Sequence, residues 1–174
     1  KTGIPMMRAM VLEFPEDQMT HTLDQHYMLG ENLLVAPIFN EDGKGSFYIP
    51  KTKGAWTDYL TDKKYESGQY YQENYDYFHL PLLVRPNAII IEGKEDQHAE
   101  YDYNDHPIIH VFEVTDEASA TIYDVAGQKQ GNVEISYSKN HYHVSITGID
   151  EATIIFHDSK TTKKVQVTKG NFDI

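Results

Sequence analysis

The stretch GIPMMRAMVLEF, residues 3–14, decides how the rest of the chain is read. It is almost wholly apolar and carries one arginine, Arg8. A strand with one wet face alternates apolar and polar residues, because successive side chains point to opposite sides. Residues 3–14 do not alternate. An apolar strand of this kind belongs to a parallel sheet covered by helices on both faces. One strand makes no sheet, so its neighbours are expected upstream, in a larger polypeptide of which these 174 residues are the C-terminal piece.

Composition narrows the partners. There are 27 acidic and 15 basic residues, a formal net charge of -12. Such a surface repels phosphate backbones and anionic membranes, so neither nucleic acid nor membrane is an expected partner. No run approaches the roughly 20 apolar residues that a membrane span needs. There is no cysteine, which removes disulfides and thiolate chemistry and is compatible with the expected cytoplasmic location.

Strands dominate the chain beyond residue 32. Residues 33–39, 46–49, 69–75, 82–84 and 88–91 read as strands separated by turn signals such as Asp42-Gly43 and Lys53-Gly54. A second set covers 108–114, 119–125, 133–137, 142–146, 153–156 and 164–167. Here alternation is clean: Val133, Ile135 and Tyr137 share one face, and Tyr142, Val144 and Ile146 share one face of the next strand. Residues 138–141 read as the hairpin turn between them. Half-buried alternation of this kind describes a β-sandwich. The polar stretch 92–105 separates the two sets. One helix is expected, over 20–29, with Leu23, Tyr27 and Met28 on one face and Gly30 as its stop.

The motifs GIPMMRAMVLEFPED, LDQHYMLGENLLVAPIF, GAWTDYLT and LPLLVRPNAIII occur in order, at short intervals, over about residues 3–91. In that order they closely resemble the C-terminal part of glycoside hydrolase family 31. GKEDQHAEYDY, residues 93–103, looks like the stretch that opens the distal domain in the α-xylosidase branch. The resemblance implies a mainly β chain. Residues 1–32 would carry the last strand and short helix of a (β/α)8 barrel. Residues 33–91 would be a proximal antiparallel β-sandwich domain, and 92–174 a distal one. A whole barrel takes about 250 residues, so this chain cannot hold it. The family is retaining, and both of its catalytic aspartates lie on earlier barrel strands, so no catalytic residue, cofactor or metal is expected here. The implied partners are the upstream barrel, an oligosaccharide bound mainly by that barrel, and a second copy of the chain. The implied activity of the parent is hydrolysis of terminal α-linked xylose. Hydrolysis of α-glucosides by the same family is the alternative, and a stand-alone carbohydrate-binding module is the second.

Several residues invite a chemical role. Trp56-Thr57-Asp58 mimics the family's nucleophile motif, yet it falls in the GAWTDYLT turn, where a buried tryptophan beside a turn aspartate is the better account. Arg8, Glu13 and Asp17 are candidates for the barrel rim or for structure. Retaining hydrolysis needs two carboxyls about 5 to 5.5 Å apart. Glu13 would end a barrel strand on the active face, but Pro15 turns the chain at once, and Glu16 and Asp17 suit a salt bridge or a helix start. Arg8, buried in mid-strand, needs a carboxylate, expected in the missing barrel. In the aromatic stretch Tyr70, Tyr71, Tyr75, Tyr77, Phe78 and His79, Tyr71 and Tyr75 share a strand face, as do Tyr75 and Tyr77. Tyr71 and Tyr75 are the candidate sugar-stacking rings, with packing in the proximal core or against the barrel as the other use. His141 and His143 share a strand face and could meet one metal ion, though zinc would need further ligands. His106, His110 and His157 have no spacing that joins them.

Overall fold

The computed structural model describes residues 3–94, 97–98, 101–159 and 163–174. Glu95, Asp96, Ala99 and Glu100, within the polar stretch taken as a boundary, lie outside the described residues. The protein is mainly β, with antiparallel sheets and little helix, in two compact units, Lys1–Pro86 and Asn87–Ile174.

In the first unit, β1 (Met7–Ala9), β2 (Tyr27–Leu29), β3 (Leu33–Val35), β5 (Trp56–Asp58), β6 (Lys64–Tyr65) and β8 (Leu82–Val84) form one sheet. Its order is β1-β2-β3-β8-β5-β6, and every pairing is antiparallel. β4 (Lys44–Ile49) and β7 (Gln69–Asn74) form a separate hairpin. The core gathers Met10, Phe14, Met28, Leu34, Phe47, Ile49, Trp56 and Leu83.

Two expectations fail here. Residues 3–14 are not one strand. Met7–Ala9 pairs antiparallel with β2, and Met10–Glu13 turns into a single helical turn, α1, closed by the Phe14 N–H donating to the Met10 carbonyl at 2.9 Å. Met10 and Phe14 are thereby buried in the unit's own core, while Ile4, Met6, Met7 and Leu12 stay exposed. Met, Leu and Glu are good helix formers, and this turn lets one run serve an inner and an outer face. The helix expected over 20–29 is also replaced. Gln18–Thr22 is a 3-10 turn whose start is capped by the Asp17 carboxylate accepting from Met19 N–H. Tyr27–Leu29 is a strand held between β1 and β3, with Met28 wholly buried. Hydrogen bonding on both edges decides for strand against the weak helical spacing. Gly30, at φ +63°, stops no helix; it opens the β2–β3 turn and donates its N–H to the Met6 carbonyl.

The second unit contains β9 (Ala88–Glu92), β10 (Ile108–Phe112), β11 (Glu117–Tyr123), β12 (Lys129–Ser138), β13 (His141–His157) and β14 (Lys164–Asp173). The strand Ala88–Glu92, assigned from sequence to the preceding domain, pairs with β10 in this unit. Nor do two separate sandwich layers form. All six strands belong to one strongly bent sheet, β11-β12-β13-β10-β9 with β14 on the other edge of β13. It nearly closes, since β9 packs back against β11. The reason is β13, read as two strands but continuous. His141–Ile146 pairs antiparallel with β12, and Thr153–His157 pairs parallel with β10. The bend falls at Gly148, φ +81°. There the chain crosses Gly131 so closely that a Cβ on Gly131 would sit 1.9 Å from the Thr147 carbonyl oxygen. The hairpin at 138–141 forms as expected, with Lys139 and Asn140 both at positive φ, the geometry of a type I′ turn. The core is aliphatic, led by Ile109, Val111, Val133, Ile135, Val144 and Ile154. No described helix is long and apolar enough to cross a membrane.

Candidate functional site

Arg8 finds its carboxylate inside its own segment. Its Nη1 lies 2.6 Å from Glu13 Oε1, its Nη2 3.8 Å from Glu31, and its Nε donates to the Pro5 carbonyl. The α1 turn brings Glu13 back onto Arg8, and Arg85 approaches the other Glu13 oxygen at 4.0 Å. Arg85 also lies over the Phe14 ring at 5.4 Å. Expectation placed the partner of Arg8 in another part of the protein; the local turn supplies it. Glu13 is therefore engaged between two guanidinium groups.

Asp17 is an anchor. It accepts hydrogen bonds from Tyr48 Oη at 2.9 Å, Lys51 N–H at 3.0 Å and Met19 N–H at 3.2 Å. Burial works to raise its pKa, but these three donors outweigh it and hold the carboxyl below its usual range. On the other side of the bond, burial and the Asp17 charge push the Tyr48 hydroxyl up to about 12. His26, within the LDQHYMLGENLLVAPIF stretch but not among the expected site residues, is buried beside this anchor and accepts the Tyr48 N–H on Nε2 at 3.3 Å. Desolvation depresses its pKa, so it is held as the neutral ring.

Trp56 and Asp58 take the turn reading. Trp56 is wholly buried, 6.1 Å from the Phe14 ring, and donates from Nε1 to Thr52. Asp58 Oδ1 accepts from Leu60 N–H, Thr61 N–H and the Thr61 hydroxyl, each at 2.9 Å. Asp58, itself buried, thereby closes the hairpin turn.

Tyr71 and Tyr75 do share a face, and that face packs on the core. Tyr71 stacks on Phe47 at 5.8 Å and meets Tyr65 edge-on at 4.9 Å; its hydroxyl ties Glu66 and Gln69. The Tyr65 hydroxyl donates to Glu73, which also pairs with Lys63. The most open rings of the first unit are Tyr77 and Phe78, in the loop beyond β7, together with Phe39.

In the second unit His141 and His143 are exposed, and His143 is bonded to Ser138 and Asp173. The structure joins two other histidines. Parallel pairing of β10 and β13 sets His110 Nδ1 2.8 Å from His157 Nε2, while His110 Nε2 lies 2.9 Å from Glu92. His157 stacks on Phe112 at 4.6 Å. Separated by 47 positions, the pair had no sequence signal. Among the described residues no group of three or more His, Cys, Asp or Glu side chains is arranged to hold a metal ion.

Glu13, Asp17 and Asp58 are thus held by guanidinium groups or by hydrogen-bond donors, as parts of a scaffold. Comparison with known proteins gives that scaffold its place. Residues 3–90 match the glycosyl hydrolase family 31 C-terminal domain. The chain belongs to glycosyl hydrolase family 31. It is similar to the α-xylosidase XylQ of Lactiplantibacillus pentosus, 33% identical over 99% of this chain and 23% of that protein. It is also similar to α-glucosidase 2 of Bacillus thermoamyloliquefaciens, 30% identical over 83% of this chain and 19% of that one. The crystal structure of a family 31 α-xylosidase from Xanthomonas citri superimposes with a TM-score of 0.75, covering 97% of this chain and 21% of the other, at 19% identity. The last likeness is one of fold. The chain spans about a quarter or less of the family 31 proteins it matches here.

Proposed function

We propose that this chain is the non-catalytic C-terminal β-portion of a retaining family 31 glycosidase that removes terminal α-linked xylose. The observation that carries the reading is the 33% identity to the Lactiplantibacillus α-xylosidase, which runs through both units. The scaffold chemistry supports it, since Glu13, Asp17 and Asp58 are all occupied by arginines or by hydrogen-bond donors. The apolar surface formed by Ile4, Met6, Met7 and Leu12 is the side on which the catalytic barrel packs in this reading. The similarity to the Bacillus α-glucosidase favours α-glucosides as the second substrate class. A stand-alone sugar-binding module is the weaker account, because it gives that apolar surface no use. The cytoplasm is the proposed compartment, on the cysteine-free composition.

Turnover tests the reading. The chain alone, assayed with aryl α-xyloside and aryl α-glucoside, is expected to release no product above the blank. Release that disappears in Asp17→Asn or Asp58→Asn would mean that the chain carries its own catalytic acids.

A further inference from the structure

We propose that the groove between residues 37–43 and 75–80 of the first unit is a saccharide-binding site, taking a neutral pyranose unit against the ring of Tyr77. The groove has a volume of about 420 Å³, within the range of small-molecule sites. The two loops that form it are each closed by hydrogen bonds. Asn40 closes one loop on itself, its side chain accepting from Lys44 N–H at 2.9 Å and donating to the Lys44 carbonyl at 2.6 Å. Asp76 closes the other, accepting from Phe78 N–H at 2.9 Å and pairing with His79 Nδ1 at 2.6 Å. The Tyr75 N–H donates to the Gly43 carbonyl and ties the two loops together.

The lining suits a sugar. Tyr77 is fully exposed, and an open aromatic ring offers a flat face to the C–H side of a pyranose. Glu41, Asp42 and Asp76 supply carboxylates that accept from hydroxyl groups, and Pro37, Ile38 and Leu80 supply apolar wall. The overall charge of -12 disfavours an anionic ligand. Lys44 lies 3.8 Å from Asp42, and His79 Nδ1 lies 2.6 Å from Asp76, so two of the acids of the groove already have partners and a neutral polyol fits better than a cation. None of these groups is used by the saturated anchors around Asp17, Asp58 or Glu13. The inference rests on the family 31 reading only for the choice of sugars.

Titration of the 174-residue chain with isoprimeverose, isomaltotriose and maltotriose, followed by NMR and calorimetry, tests it. At least one sugar is expected to bind with a Kd on the order of 1 mM. Tyr77→Ala should weaken that binding roughly tenfold, while Tyr77→Phe keeps it within about twofold. Because the ring is exposed, Tyr77→Ala should leave the melting temperature unchanged, which separates lost binding from lost folding. No binding of any of the three sugars overturns the site, as does binding that Tyr77→Ala leaves intact. A chain that self-associates through Tyr77 and ignores sugars also overturns it, and makes this face a protein contact. None of these failures touches the family assignment, which stands on sequence similarity.

Discussion

The two units are built on opposite plans. The first uses strands of two to six residues, and its turns are pinned by particular side chains: Asp17 on Lys51 and Tyr48, Asp58 on Thr61, Glu13 on Arg8. The second uses strands as long as ten and seventeen residues around an aliphatic core, with a few pinned turns of its own, Asn87 on Thr115 and Glu113 on Ser159. The difference teaches where family identity can reside. A turn closed by one acceptor at one position admits only the few residues that can accept there, whereas an alternating ladder accepts apolar residues of similar size. The match to the family 31 C-terminal domain covers residues 3–90, the pinned part together with the start of the first strand of the second unit.

The comparison breaks most readily at the cores. Trp56→Ala should cost about 3–5 kcal/mol, because a wholly buried indole is lost from a small core. Ile154→Val, equally buried in the second unit, should cost only about 0.5–1.5 kcal/mol. Denaturant melts give the costs, and hydrogen exchange by unit shows where they fall. Protection lost evenly from both units in Trp56→Ala would mean that the contrast between them is false.

One position in the second unit should behave like the pinned residues of the first. Gly131→Ala places a methyl 1.9 Å from a backbone oxygen, so β12 and β13 must part at their crossing. A loss of about 1–3 kcal/mol is expected, confined to amides of β12–β14. A neutral outcome would mean that the bend at Gly148 yields easily.

The smallest effect is in pH. The folded-state pKa of His26 is depressed below its unfolded value of 6.5, so the unfolded chain binds the proton more readily. The stability this buried neutral ring permits is complete above that value. It is lost as pH falls through 6.5 toward the folded pKa. His26→Gln should flatten the slope of melting temperature against pH between about 7.5 and 5.5. An unchanged slope would remove His26 from the account.

Legibility in the sequence divides along the same line. The strands of the second unit are visible because alternation persists over many residues. Only β13 reads as two, since Gly148 and Asp150 look like a turn where the strand bends. In the first unit, β2, β5 and β6 are two or three residues long, too short for any period to show. Their type is decided by neighbours distant in sequence, as when Met28 pairs with both Arg8 and Leu34. Among the site candidates, Asp17 and Asp58 are readable as turn residues, because an aspartate that bonds its own following backbone leaves a local signal. The rings are not. Strand spacing puts Tyr71, Tyr75 and Tyr77 on one face and so does not tell the first two, which pack on the core, from the open ring of Tyr77, which stands in the loop past the end of β7. The His110–His157 contact depends on a parallel pairing that spacing cannot encode.

The most direct test of the central claim is a transplant into the Lactiplantibacillus α-xylosidase, assayed on aryl α-xyloside. Removing its matching C-terminal segment should abolish soluble, active enzyme. Fusing this chain in its place should restore a monodisperse protein that hydrolyses the α-xyloside. A transplant that folds with a cooperative melt yet remains inactive would contradict the claim that these residues serve a family 31 catalytic barrel.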